Sequence, residues 1–201
     1  GLVNIGLTLR RLNVGRGRGA LSCALPLMVA GWLFAEHGAA AEVVQPFRFN
    51  LPAPPLVGGE REWLNTSGKK LQFEQGQVYV VHFWTFSCIN CQRNLPCYAR
   101  WQKRFGDRKV TIIGVHTPET DAEKQTENVI RKVREMAIAY PVLLDQEGYN
   151  WARWQQQVWP TAYLVDKKGR GRFRWSGELD WQGAGGEEKM ARCIEALLRE
   201  P

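Results

Sequence analysis

VYVVHFWTFSCINCQRNLPC, residues 78–97, is the stretch whose reading decides the fold. Val78, Tyr79, Val80, Val81, Phe83 and Trp84 form a nearly unbroken run of β-branched and aromatic residues, the pattern of a strand buried on both faces and therefore of a central parallel strand. Cys88 and Cys91 follow with two residues between them, and from Ile89 helix-forming residues carry the chain through Trp101 to Phe105. The strand thus ends in a turn that sets Cys88 at a helix N-terminus, where unpaired backbone N–H groups and the positive end of the helix dipole favour a thiolate. Cys91, one helical turn further on, is placed to attack a mixed disulfide on Cys88, with its own sulfur the more shielded of the two. Pro96 lies inside this helix and bends it.

Working outward towards the C-terminus, residues 110–115 (VTIIGV) read as a second buried strand ending at His116, Thr117 and Pro118. Residues 120–139 read as a long helix, with Thr120 as cap, Glu123 as its reciprocal partner and Val129, Val133 and Met136 as the apolar stripe. Pro141–Asp145 gives a third strand, Tyr149–Gln157 a shorter helix and Ala162–Asp166 a fourth strand. A turn at residues 167–170 leads into a strand at Arg172–Ser176, and Glu187–Arg199 is a last amphipathic helix with Met190, Ile194 and Leu197 or Leu198 inward. Alternation of strand and helix argues for an α/β core.

Trp84 four residues before the first cysteine, the C-x-x-C pair, and Pro96 five residues after the second resemble the thioredoxin superfamily. The wording WTFSCINC is closer to membrane-anchored and periplasmic thiol–disulfide oxidoreductases of the TlpA, ResA and DipZ type. The resemblance implies a thioredoxin fold: a central mixed β-sheet flanked by helices, with an N-terminal β-hairpin and a central αβ insertion. The hairpin is expected from Trp63–Asn65 and Leu71–Phe73 on either side of a turn at Ser67-Gly68-Lys69. It further implies a cis Pro160 lying against the cysteines, exchange of disulfides with protein partners, no bound cofactor or metal, and recharging of the dithiol by a membrane-embedded electron carrier. The direction it implies is reduction of the substrate. One departure stands out: His82 occupies the position six before the first cysteine, where thioredoxin carries a buried acid, which makes His82 a candidate for that acid's task.

Other readings of the cysteines fit less well. Zinc needs a second ligand pair, and haem attachment needs a histidine where Gln92 stands. Thr85-x-x-Cys88 matches part of a peroxiredoxin motif, with Val81 in place of its proline; a copper-handling role of the Sco kind uses C-x-x-x-C. Cys97 lies about 240° around the helix from Cys91 and so points away from the redox face. Because the first and last helices of such folds pack on one face of the sheet, a structural Cys97–Cys193 disulfide is one reading and two buried free thiols the other. His116, at the carboxyl end of a strand, shares the edge of Cys88 and is a candidate for proton transfer or partner contact. Trp84 and Trp159 flank the cysteines and Pro160 and are expected to line a shallow apolar groove for peptides, while Phe86 and Tyr163 suit the core equally well.

At the N-terminus, four arginines precede an apolar run from Ala20 to Ala35 and the small residues Gly38–Ala41. That order reads as a secretory signal over residues 1–41, or an N-terminal membrane anchor, and places the protein in the periplasm or otherwise outside the cytoplasm. Residues 42–59, rich in proline and glycine, read as a linker arm, and 60–201 as the thioredoxin-like domain. The chain's net charge of +7 falls to +4 once the four arginines and one acid of residues 1–41 are set aside. No basic cluster is long enough to argue for nucleic-acid binding.

Overall fold

The computed structural model describes residues 45–201; the signal or anchor expected over residues 1–41 lies outside them. Seven strands form one mixed sheet: β1 Phe47–Pro52, β2 Trp63–Leu64, β3 Val78–Trp84, β4 Val110–His116, β5 Val142–Leu144, β6 Thr161–Val165 and β7 Arg170–Ser176, in the order β1-β7-β6-β3-β4-β5-β2. Strands β3, β4 and β5 run parallel, and β6 pairs antiparallel with β3 through Phe83↔Thr161 and Tyr79↔Val165. The helices are α1 Ile89–Phe105, α2 Thr126–Glu135, α3 Tyr149–Arg153 and α4 Gly186–Arg199. None is long and apolar enough to cross a membrane among the described residues.

All seven residues of β3 are buried, as its uninterrupted apolar pattern requires of a strand covered on both faces. Val78, Val80 and Trp84 face one core with Tyr98, Trp101 and Phe105 of α1 and Met190, Ile194 and Leu197 of α4; Tyr79, Val81 and Phe83 face a second core with Ile113, Val115, Trp154 and Tyr163. The buried positions 91, 94, 98, 101 and 105 of α1 follow the i, i+3, i+7 stripe that packs a helix on a sheet. Glycine is required where elements approach closely. A Cβ on Gly186 would stand 2.2 Å from the Leu179 carbonyl oxygen, and one on Gly114 would meet Trp84 Nε1 at 2.9 Å and His82 Nε2 at 3.0 Å.

Three expectations need correction. The N-terminal hairpin does not form: Trp63–Leu64 pairs antiparallel with Leu143 and Val142 of β5, and Leu71–Phe73 is loop whose Phe73 ring packs on Tyr79. The turn at Ser67-Gly68 is present, but the sheet edge beside β5 gives Trp63 a buried site that a free hairpin cannot. The arm is no free linker either. Residues 47–52 form the opposite edge strand, tolerating Pro52 there, and Asn150 fixes Val57 by two hydrogen bonds of 2.8 Å. The helix expected over 120–139 spans only 126–135. Thr120 N does donate to Glu123, at 2.9 Å, but residues 120–124 wrap that carboxylate in turns, and Ala137, at φ 52°, ends the helical path early.

Candidate active site

The dithiol sits where β3 gives way to α1. Cys88 is the N-cap residue, with extended backbone (φ −72°, ψ 112°), and its Sγ accepts a hydrogen bond from the Cys91 amide at 3.3 Å. A sulfur in this position takes the place of a capping oxygen, and any negative charge on it is met by the first turn of the helix. Cys88 is half-buried, whereas Cys91 is 1% exposed; burial, with a hydrogen bond to Cys88 and other smaller contributions, holds the Cys91 thiol far above its ordinary range. The two thiols are thus differentiated: one reachable and capped, the other shielded and protonated. Gln92 pins the turn by donating to the Phe86 carbonyl at 2.7 Å. Asn94 ties α1 to the loop before α4, donating to Gly177 O at 3.2 Å and accepting from Leu179 N at 2.8 Å.

A second polar layer lies behind the cysteines. His116, at the end of β4, is fully buried, its Nε2 3.5 Å from the Thr85 hydroxyl and its ring stacked on Phe86 at 5.7 Å. Burial draws it down to about 4, against smaller opposing effects led by Glu123, so it is neutral at pH 7. It touches no solvent and cannot meet a partner directly. Glu123, also fully buried, accepts from Ser87 N at 2.9 Å and from the Ser87 hydroxyl, and its other oxygen accepts from Glu119 N at 2.8 Å and Thr120 N at 2.9 Å. Burial pushes this carboxyl up, but hydrogen bonds from Ser87, Thr85 and Glu119 outweigh it and bring it to about 2.

The remaining expected site residues divide. The Trp159–Pro160 peptide bond is cis, Pro160 is buried, and Trp159 is half-buried with its ring 4.0 Å from that of Trp151. Trp84 does not line a groove: it is 0% exposed, packed edge-on against His116 at 5.1 Å. Tyr163 points to the opposite core, against Phe49 and Trp154. The exposed apolar surface at the dithiol is Ile89, with half-buried Phe86 and Trp159 beside the core. His82 stacks on Tyr98 at 3.9 Å and meets Tyr140 edge-on; neither ring nitrogen has a hydrogen-bond partner, and burial lowers it to about 3. It is a neutral member of an aromatic cluster.

Cys97 and Cys193 are not bonded to each other; both are free thiols. Cys97 faces Arg100, whose Nη2 donates to its sulfur at 3.4 Å, and burial, then Glu187, push it up to about 12. Cys193 sits instead in a hollow with Arg48, Phe173 and Arg192. Packing of the first and last helices on one face of the sheet allows such a bridge, but helix phase does not fix the distance between the sulfurs. Among the described residues, the His, Cys, Asp and Glu side chains that gather within 4.8 Å in a group of three are Cys97, Asp180 and Glu187; Cys88, Cys91 and His116 form no such group. Glu187 gives both its oxygens to Arg100, so that cluster is an ion pair beside a thiol.

Sequence reasoning placed Glu123 only as a capping partner. Its bond to Ser87, 36 positions away, leaves no local spacing signal; the one hint was an acid three residues after Thr120 in a loop following a buried strand.

Comparison with known proteins bears on this geometry. The model of the AhpC/TSA family matches residues 51–173. Protein DipZ of Mycobacterium tuberculosis is 38% identical over 130 residues, which are 63% of this chain and 19% of DipZ, so this chain matches about a fifth of that relative's length. The thiol-disulfide oxidoreductase YkuV of Bacillus subtilis is 25% identical over 74% of this chain and 95% of its own. Among solved structures, a DsbF homologue from Corynebacterium diphtheriae superposes with a TM-score of 0.59 at 18% identity, covering 79% of this chain and 96% of that one. The fold is therefore thioredoxin-like.

Proposed function

Since the chain belongs to the AhpC/TSA family, we propose that it is a thiol–disulfide oxidoreductase that acts outside the cytoplasm and reduces disulfides of protein partners through Cys88 and Cys91. The observation that carries the reading is the asymmetry of the pair. Cys88 caps α1 with its sulfur accessible, and Cys91, 3.3 Å away through its amide, is buried. The relatives named thiol-disulfide oxidoreductase YkuV and DipZ support it.

In the reaction, the Cys88 thiolate attacks one sulfur of a substrate disulfide, forming a Cys88–substrate bond and releasing the other substrate sulfur as a thiolate that takes up a proton. Cys91 then loses its proton, attacks Cys88 and frees the second substrate thiol. The substrate gains two electrons and two protons; the protein is left as the Cys88–Cys91 disulfide. Burial of Cys91 keeps it protonated until the mixed disulfide forms, which delays the second step to the right moment. A dithiol of a membrane-embedded carrier returns the two electrons. Ile89, Phe86 and Trp159 form the docking surface, with buried Pro160 shaping it from beneath, and the secretory signal or membrane anchor expected over residues 1–41 puts the protein on the side of the membrane where that carrier is reached. His116, Thr85 and Glu123 support the pair from within.

The reduction potential of the pair, measured in glutathione or dithiothreitol buffers with Cys97 and Cys193 replaced by serine, tests the direction. A value at or below about −270 mV is expected of a reductase; one near about −120 mV makes the protein a disulfide donor instead.

A further inference from the structure

Glu123 is a buried carboxylate whose negative charge takes no part in the bond-making and bond-breaking of the exchange. The donors to its carboxylate are all neutral: the Ser87 amide and hydroxyl, the Thr85 hydroxyl, and the Glu119 and Thr120 amides. It takes part in no ion pair among the described residues; the adjacent Lys124 turns outward to Asp121, at 2.8 Å. Ionised carboxylates are costly to bury, and a charge left without a counter-ion in a low-dielectric interior acts strongly on whatever lies near it. What lies near is the dithiol turn itself, since Ser87 directly precedes Cys88.

The geometry points to Glu123 as a positioning residue of the dithiol: it clamps the Ser87 turn to the β4–α2 loop, and its uncompensated negative charge behind the cysteines opposes a thiolate and so makes the pair a better electron donor. This deepens the reading of the protein as a reductase and rests on it. The titratable groups that face Glu123 are Cys91 from α1, whose thiol this charge helps to raise, and His116 from β4, whose ring it helps to protonate against burial. Glu119 is solvent-exposed, so the carboxylate of Glu123 is the one held at fixed depth beneath the turn. The potential of a dithiol falls when its reduced form loses stabilisation, and opposing the thiolate removes stabilisation from the reduced form alone. His82, which holds the place expected of a buried acid, has no such contact with Ser87 and is uncharged.

The test uses the full chain with Cys97 and Cys193 replaced by serine. In Glu123→Gln, the equilibrium of the pair with glutathione should move towards the reduced dithiol by about tenfold, equal to ~30 mV, and the thiolate absorbance should appear at lower pH. Ser87→Ala keeps the charge and removes one anchor, and should change the equilibrium by less than about twofold. A Glu123→Gln equilibrium within about twofold of the parent overturns the proposal, as does an equal shift in Ser87→Ala, which assigns the effect to anchoring. Should Glu123→Gln fail to fold, ¹³C titration of the Glu123 carboxyl in the parent decides. A group ionised from about pH 5 to 8 in both redox states supports a fixed charge, and a proton gained on reduction overturns it. Cys88-dependent reduction of insulin by the parent is scored separately: its absence defeats the underlying reading, whereas its presence with no shift in Glu123→Gln defeats this inference alone.

Discussion

Cys88 and Cys97 lie on one helix, nine positions apart in sequence, and share a chemical group but not a chemistry. Cys88 is at the N-cap, half-exposed, its sulfur receiving the Cys91 amide. Cys97 is two turns deeper, 4% exposed, with Arg100 and Glu187 at its sulfur and its thiol pushed up to about 12. Cys193 on α4 is held up too, chiefly by burial. The difference teaches that access and capping on this scaffold are set by position along the helix: the first turn offers unpaired amides and access, and later turns offer neither.

The sharpest way to break the comparison is to exchange the roles by mutation. Cys88→Ser should abolish reduction of insulin to the uncatalysed rate, while Cys97→Ser and Cys193→Ser together should leave the rate within about twofold of the parent, because neither thiol combines access with a helix N-terminus. Substantial loss in the double variant would give one of the outlying thiols a part in exchange.

This contrast was legible in the sequence in the places where the signal is local. Seven consecutive buried positions, a C-x-x-C at a strand-to-helix turn and the stripe of α1 are read from neighbours in the chain, and β3 and α1 form where expected. What was not legible depended on distant partners. Trp63 and Leu64 carry the same alternation whether they pair with Leu71–Phe73 or, as found, with β5. Residues 47–52 alternate well enough for a strand, but the flanking prolines read as a linker until an edge beside β7 is available to receive them. Trp84 looked like a groove residue by its distance from Cys88, yet as the last residue of a fully buried strand it has no route to the surface. Glu123 was visible only as half of a capping box.

A smaller effect is expected from crowding the aromatic cluster that backs the site. Gly114→Ala places a methyl group 2.9 Å from Trp84 Nε1 and 3.0 Å from His82 Nε2, and should destabilise the fold by about 1–3 kcal/mol through displacement of both rings. Urea unfolding measures it. A midpoint unchanged from the parent would show that the cluster is looser than its stacking distances imply.

The mildest effect is that of pH. Folded His82 and His116 take up protons only near about 3 and 4, against 6.5 for a free histidine. Above pH 6.5 both are neutral folded or unfolded and contribute no pH dependence. Below it the unfolded chain binds protons that the folded chain refuses, so stability falls as pH drops from about 6.5 towards 4. Glu123 adds to the decline lower down. Its folded value of about 2 lies below the ordinary 4.5, so its contribution is complete above 4.5 and is lost as pH falls towards 2. Urea midpoints at roughly pH 7, 5.5 and 4.5 should decrease in that order. A midpoint constant over that range would mean that both histidines reach water.

The most direct test of the division between the cysteines is a trapping experiment with Cys91→Ser. Lacking the buried thiol proposed to resolve the intermediate, this variant should accumulate a stable mixed disulfide with a peptide disulfide substrate, and mass spectrometry should place the adduct on Cys88 alone. An adduct on Cys97 or Cys193, or none at all while the parent still turns over, would contradict the assignment of Cys88 as the attacking sulfur.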